Sequence, residues 1–112
     1  MGTFTYDSTL RAEFDDRLLA HLQLVLGAKL RRGESLFFSW PKPIELGGGR
    51  TTVWVNPTVP LGFDYAAQAM PEISREWLEV LTKSASSNQG LHLIADPTGT
   101  TPIETLTQEN LR

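Results

Sequence analysis

Apolar and polar residues repeat along this chain with two different periods. Thr3 to Tyr6 has the character of a strand, and beyond Asp7-Ser8 the residues Leu10, Ala12 and Phe14 alternate with Arg11 and Glu13. A period of two on either side of a short polar turn predicts a hairpin. The period then lengthens. At about 100° per residue, Leu18, Leu19, Leu22, Val25, Leu26 and Leu30 fall on one face of a helix. Asp15 or Asp16 stands at its N-cap, and the helix is expected to run to about Arg31 and stop at Gly33. Arg17, Ala20, His21, Gly27 and Arg31 lie on the opposite side.

The period of two returns at Glu34 to Trp40, where Leu36, Phe38 and Trp40 point one way and Ser35, Phe37 and Ser39 the other. Pro41 and Pro43 end this strand, because proline cannot donate to a ladder. Gly47-Gly48-Gly49 reads as the turn to a return strand over Thr51 to Asn56, with Val53 and Val55 opposite Trp54. Pro57 and Pro60 bracket a connection to a strand carrying Leu61, Phe63 and Tyr65. Ser74 caps a second helix whose apolar face holds Trp77, Leu78, Leu81 and Ala85, and Leu91 to Ala95 is a last strand. Thr101-Pro102-Ile103-Glu104 matches a capping box and predicts a short helix over residues 102–110. The order β-β-α-β-β-β-α-β defines an α+β domain, with a mainly antiparallel sheet covered on one face by two amphipathic helices. Residues 1–96 are expected to form that single domain and residues 97–112 a polar C-terminal tail or short helix.

Composition narrows this picture without changing it. The chain has 112 residues, the size of one domain. Its 40% hydrophobic and 21% charged content is ordinary for a folded protein and argues against wholesale disorder. The sequence contains no cysteine, which removes disulfides, thiolate chemistry and cysteine-bound zinc and favours a cytoplasmic location. The N-terminal residues do not read as a signal peptide, and no apolar run approaches the roughly 20 residues that cross a bilayer. The net charge is −3: residues 1–50 hold seven Lys/Arg and six Asp/Glu, residues 51–112 three and seven. That balance argues against a broad phosphate-binding surface.

No catalytic constellation, metal set or cofactor motif stands out. The glycine run joins two strands and no Gly-Lys-Ser/Thr follows it, so it reads as a hairpin tip rather than a phosphate loop. Asp15 and Asp16 are accounted for by capping and by the helix dipole. His21 and His92 come from distant segments and are expected at the surface, His21 on the polar helix face. Lys29, Arg31, Arg32 and Arg50 are the candidate phosphate contacts, although Lys29, Arg31 and Arg32 also suit the end of a helix, with the Lys29 stem packed and its ammonium reaching water. Phe37 and Trp54 lie opposite the predicted core faces of their strands. They are candidate interface residues, with cover from within the chain as the rival reading. Ala20, Leu24 and Gly27 on the outward side of the first helix form a second candidate surface.

Phe14 to Gln23, Lys29 to Ser35, Arg50 to Trp54 and the later helix around Trp77 together resemble a family of small actinobacterial proteins of unknown function, over residues 1–96. Members of that family often carry the name ATP-dependent DNA ligase. A nucleotidyl-transferring ligase needs a nucleophilic lysine in Lys-x-Asp-Gly. Lys29, Lys42 and Lys83 are followed instead by Leu-Arg-Arg, Pro-Ile-Glu and Ser-Ala-Ser. The expectation is therefore a non-enzymatic protein-interaction module, with a homodimer as one form of it. The alternative that the resemblance implies is a nucleic-acid-associated accessory protein linked to DNA ligation or repair.

Overall fold

The computed structural model describes residues 1–99 together with the backbone of Thr107–Gln108. The elements follow the order read from the sequence: β1 (Gly2–Tyr6), β2 (Leu10–Phe14), α1 (Asp16–Arg31), β3 (Leu36–Pro41), β4 (Arg50–Val55), β5 (Leu61–Asp64), α2 (Arg75–Ala85) and β6 (Leu91–His92), with a two-residue β7 (Thr107–Gln108). The architecture is α+β, and its strands divide between two sheets. One has the order β5-β1-β2-β7 and the other β4-β3-β6. All pairings are antiparallel except β3 with β6. Of the short helix expected over residues 102–110, only Thr107–Gln108 are described, and they pair with β2 as a strand. The rest of that stretch lies outside the described residues.

Local chemistry explains the boundaries. Asp7 and Ser8 adopt positive φ (53° and 61°) and turn β1 into β2, a conformation that short polar side chains tolerate better than most. The Asp15 carboxylate accepts from the amides of Arg17 and Leu18 and starts α1, which ends before Gly33 at φ 76°. Ser74 caps α2 by accepting from the Trp77 amide. The last strand is shorter than Leu91 to Ala95 because only Leu91 and His92 align with Phe38 and Ser39.

The core lies between the two sheets and the helices. Phe4 and Phe14 from the first sheet meet Phe38 and Trp40 from the second, with ring centroids 5.4 to 6.2 Å apart. Leu18, Leu19, Leu22 and Leu26 of α1 and Trp77 and Leu81 of α2 complete the buried set. Two expectations need correction. Ala20 and His21 are not on an outward helix face: both are buried, because α1 packs against α2 as well as against the sheets. The apolar stripe therefore marks only part of the covered arc.

Register places Gly90 beside Phe37, one step before the Leu91–Phe38 pair. Gly90 has φ +86°, and a Cβ there would sit 2.3 Å from the Phe37 carbonyl oxygen. Gly90→Ala should cost at least about 2 kcal/mol, combining left-handed strain with a backbone clash. A urea titration checks this; an unchanged midpoint would contradict the β3–β6 register.

Candidate functional site

Three groups of side chains came forward as candidates, and the structure separates them. The first surrounds His21. Arg17, one turn earlier on α1, donates through Nη1 to Asp96 Oδ2 (2.5 Å) and through Nε to the Glu72 carbonyl (2.9 Å), and its guanidinium lies 5.1 Å from the Trp77 ring centre. The Ser74 amide donates to His21 Nε2 (2.9 Å), so Nδ1 carries the proton and donates to the Arg17 carbonyl (2.7 Å). The His21 and Trp77 rings are 4.5 Å apart, and the Trp77 indole N–H donates to the Ile94 carbonyl (2.7 Å). Both imidazole nitrogens and the guanidinium are occupied, and His21 is fully buried. The group clasps α1, α2 and the segment after β6; it presents no group poised to attack or to move a proton. Sequence reading placed His21 at the surface because the partners that cover it, Ser74 and Trp77, come from a segment more than 50 positions away.

Burial, helped by the adjacent Arg17 charge, holds the His21 pKa below its ordinary value. Burial alone would raise Asp96, but the Arg17 bond and those from the Thr98 amide and hydroxyl overcome it and bring the carboxyl to about 2. Both groups bind protons more weakly folded than unfolded, so both stabilise the fold at neutral pH and lose that contribution on acidification.

The second group is the set of cations. Lys29 Nζ donates to Glu34 Oε1 (3.0 Å) and to Ser86 Oγ (2.9 Å), so its stem packs and its charge is paired. Arg31 and Arg32 are exposed at the end of α1. Arg50 stands at the other end of the β3–β4 ladder, where it pairs with Pro41, whereas Leu36 and Val55 mark the end near Lys29. At about 3.3 Å per residue the two ends are roughly 17 Å apart. The four candidate phosphate contacts do not converge.

The third group is aromatic. Phe37 and Trp54 are direct cross-strand partners on the outer face of the β4-β3-β6 sheet, opposite buried Leu36, Phe38, Val53 and Val55. Their rings meet edge to face with centroids 4.8 Å apart, yet they remain 45% and 47% exposed. The Tyr6 hydroxyl donates to the Trp54 carbonyl and anchors the strand end. Beside the pair is a shallow cleft of about 390 Å³ that includes Lys29, Glu34, Ser86, Ser87 and Asn88. Leu24 is also 45% exposed, but burial of Ala20 removes one of the small residues that would have let a second helix approach there. The sheet face is therefore the better-formed surface. Among the described residues no group of three or more His, Asp or Glu could hold a metal ion, and no helix is long and apolar enough to cross a membrane.

A small α+β domain of two sheets and two helices, with an exposed aromatic pair on one sheet face among the described residues, is the class that fold and surface define. The chain belongs to a family built on a domain of unknown function, DUF7882, whose profile matches residues 1–96. The match ends at Asp96, the residue that closes on Arg17. No match is found among curated proteins or solved structures.

Stability should therefore be flat above about pH 6.5, fall as His21 is forced to charge, and fall again between about pH 4 and 2 as Asp96 protonates. Urea midpoints across that range check the shape, and His21→Gln should flatten the upper step only. Asp96→Asn should cost about 2 kcal/mol at neutral pH, a value below that of a fully buried pair because Arg17 keeps some contact with solvent.

Proposed function

We propose that this protein is a non-enzymatic protein-interaction module that works through the Phe37–Trp54 face, with a second copy of the chain as its partner. One observation carries the reading: two large rings meet edge to face at the surface although the core lies on the other side of the same strands. Exposed aromatic pairs on a rigid sheet are the kind of feature that anchors interfaces, since such rings bury much area for little loss of side-chain freedom. The rim supports a self-complementary contact. Lys29 and Glu34 neutralise each other beside the rings, so where a two-fold axis brings the same patch of two copies together the pair adds no like-charge repulsion.

The nucleic-acid reading, with its link to DNA ligation or repair, draws less support. Lys29 is committed to Glu34, Arg50 lies at the far end of the ladder, and the net charge is −3.

Light scattering behind size exclusion tests the proposal. The mass should climb toward twice that of one chain as concentration rises through about 1–100 μM, the range in which an interface of about −6 to −8 kcal/mol becomes populated. Phe37→Ala with Trp54→Ala should hold the protein at monomer mass while leaving it folded, since neither ring belongs to the core. A constant monomer mass across that range in the unaltered protein would overturn the reading.

A further inference from the structure

The outer face of the β4-β3-β6 sheet has a second end, and its chemistry differs from the first. Register lays Thr52, Ser39 and His92 side by side in the row beyond Trp54 and Phe37, with Arg50 and Pro41 in the row after that. A cleft of about 440 Å³ opens here, lined by Ser39, Trp40, Pro41, Arg50, Gln89, His92 and Leu93. We infer that this cleft binds a small organic anion, an oxyanion group such as a carboxylate or phosphate carried on a compact apolar body.

Five features support the assignment. The cleft lies at the carboxyl ends of β3 and β6, the one parallel pair in the fold, and the ends of parallel strands are where open sheets leave room for ligands. Its volume falls in the range of small-molecule sites. Among the described residues its polar wall is made of donors and ambivalent groups with no carboxylate: the Arg50 guanidinium, the Gln89 amide, the His92 imidazole and the Ser39 hydroxyl. Among the described residues Arg50 forms no ion pair, so its charge is available to a ligand, and the planar fork of an arginine suits two oxygens of an oxyanion. Trp40, Pro41 and Leu93 also border it, and Pro41, the exposed one of the three, gives the rest of the molecule an apolar surface beside the nearly buried edges of Trp40 and Leu93.

The imidazole is also held in place from behind. Ser84 Oγ lies 2.9 Å from His92 Nδ1, accepts from the His92 amide (3.2 Å) and donates to the Gly90 carbonyl (3.1 Å). With the Ser84 proton given to Gly90, Nδ1 donates to Ser84 Oγ and Nε2 is left as an acceptor, suited to a hydroxyl of the ligand, while Arg50 and Gln89 supply the donors for its oxyanion. Ser39 is similarly fixed by its hydrogen bond to the Thr52 hydroxyl (2.8 Å). Two of the polar groups are therefore oriented before anything binds, which lowers the ordering cost of recognition. The inference does not depend on self-association through Phe37 and Trp54.

A nitrogen-15 NMR titration of the full chain with phenyl phosphate, benzoate and inorganic phosphate tests it. Saturable shifts are expected at the Arg50 side chain, the Gln89 side-chain amide, the His92 amide and the Trp40 indole N–H, with one of the two aromatic anions favoured over inorganic phosphate. The favoured anion tells a phosphate ester from a carboxylate ligand. Arg50→Gln should weaken binding at least about tenfold, as loss of a charge-assisted hydrogen bond implies, while Trp54→Ala leaves it unchanged. Shifts that do not saturate, that are as large at Arg31 and Arg32, or that survive Arg50→Gln would overturn the assignment.

Discussion

Phe4 is wholly buried, and its ring touches Phe14 and Phe63 within its own sheet and Phe38 and Trp40 of the other. Two sheets this small cannot each support a core of their own, since a few short strands are marginal in water. They share one aromatic layer, and the rest of the molecule is arranged around it. The helices fill the space beside that layer, and among the described residues no element packs over Phe37 and Trp54 on the far side of the β4-β3-β6 sheet. An exposed face that carries Phe37 and Trp54 at one end and Arg50 at the other is thus a consequence of where the core had to be.

The clasp around Arg17 serves the same arrangement from the edge. The N-terminal turn of α1 is joined by one guanidinium to the loop before α2, to the Trp77 ring and to the Asp96 carboxylate. A buried carboxylate is costly unless it is paired and bonded, and here Arg17 and Thr98 supply those bonds. His21 adds a neutral link between Arg17 and Ser74. These groups resemble catalytic residues by type alone. Their bonds are directed inward, and they fix how α1 and α2 meet.

Much of the fold was legible in the sequence because its local signals agree with one another. Asp15, the leucine stripe and Gly33 define α1, and Ser74 with Trp77, Leu81 and Ala85 defines α2. Alternation placed Phe37 and Trp54 opposite the core face of their strands, as the register shows. What local pattern could not carry was partnership. Pro57 and Pro60 read as bracketing a connection within a single sheet, yet the Asp7 amide bonds to the Pro60 carbonyl and β5 pairs with β1, so the strands split into two sheets. Ala20 and His21 looked outward because helical periodicity assumes one covering surface, and α2 supplies a second. The clustering of His92, Gln89 and Arg50 depends on the parallel β3–β6 pair, which no local pattern announces.

The proposed contact between two copies of the chain would bury the Phe37–Trp54 face. Tryptophan quenching reads that face directly, because Trp40 and Trp77 are buried and Trp54 is exposed in the monomer. Acrylamide should quench Trp54 readily in dilute protein and progressively less as the chain concentration rises. Quenching that stays equally strong at every concentration would contradict the claim.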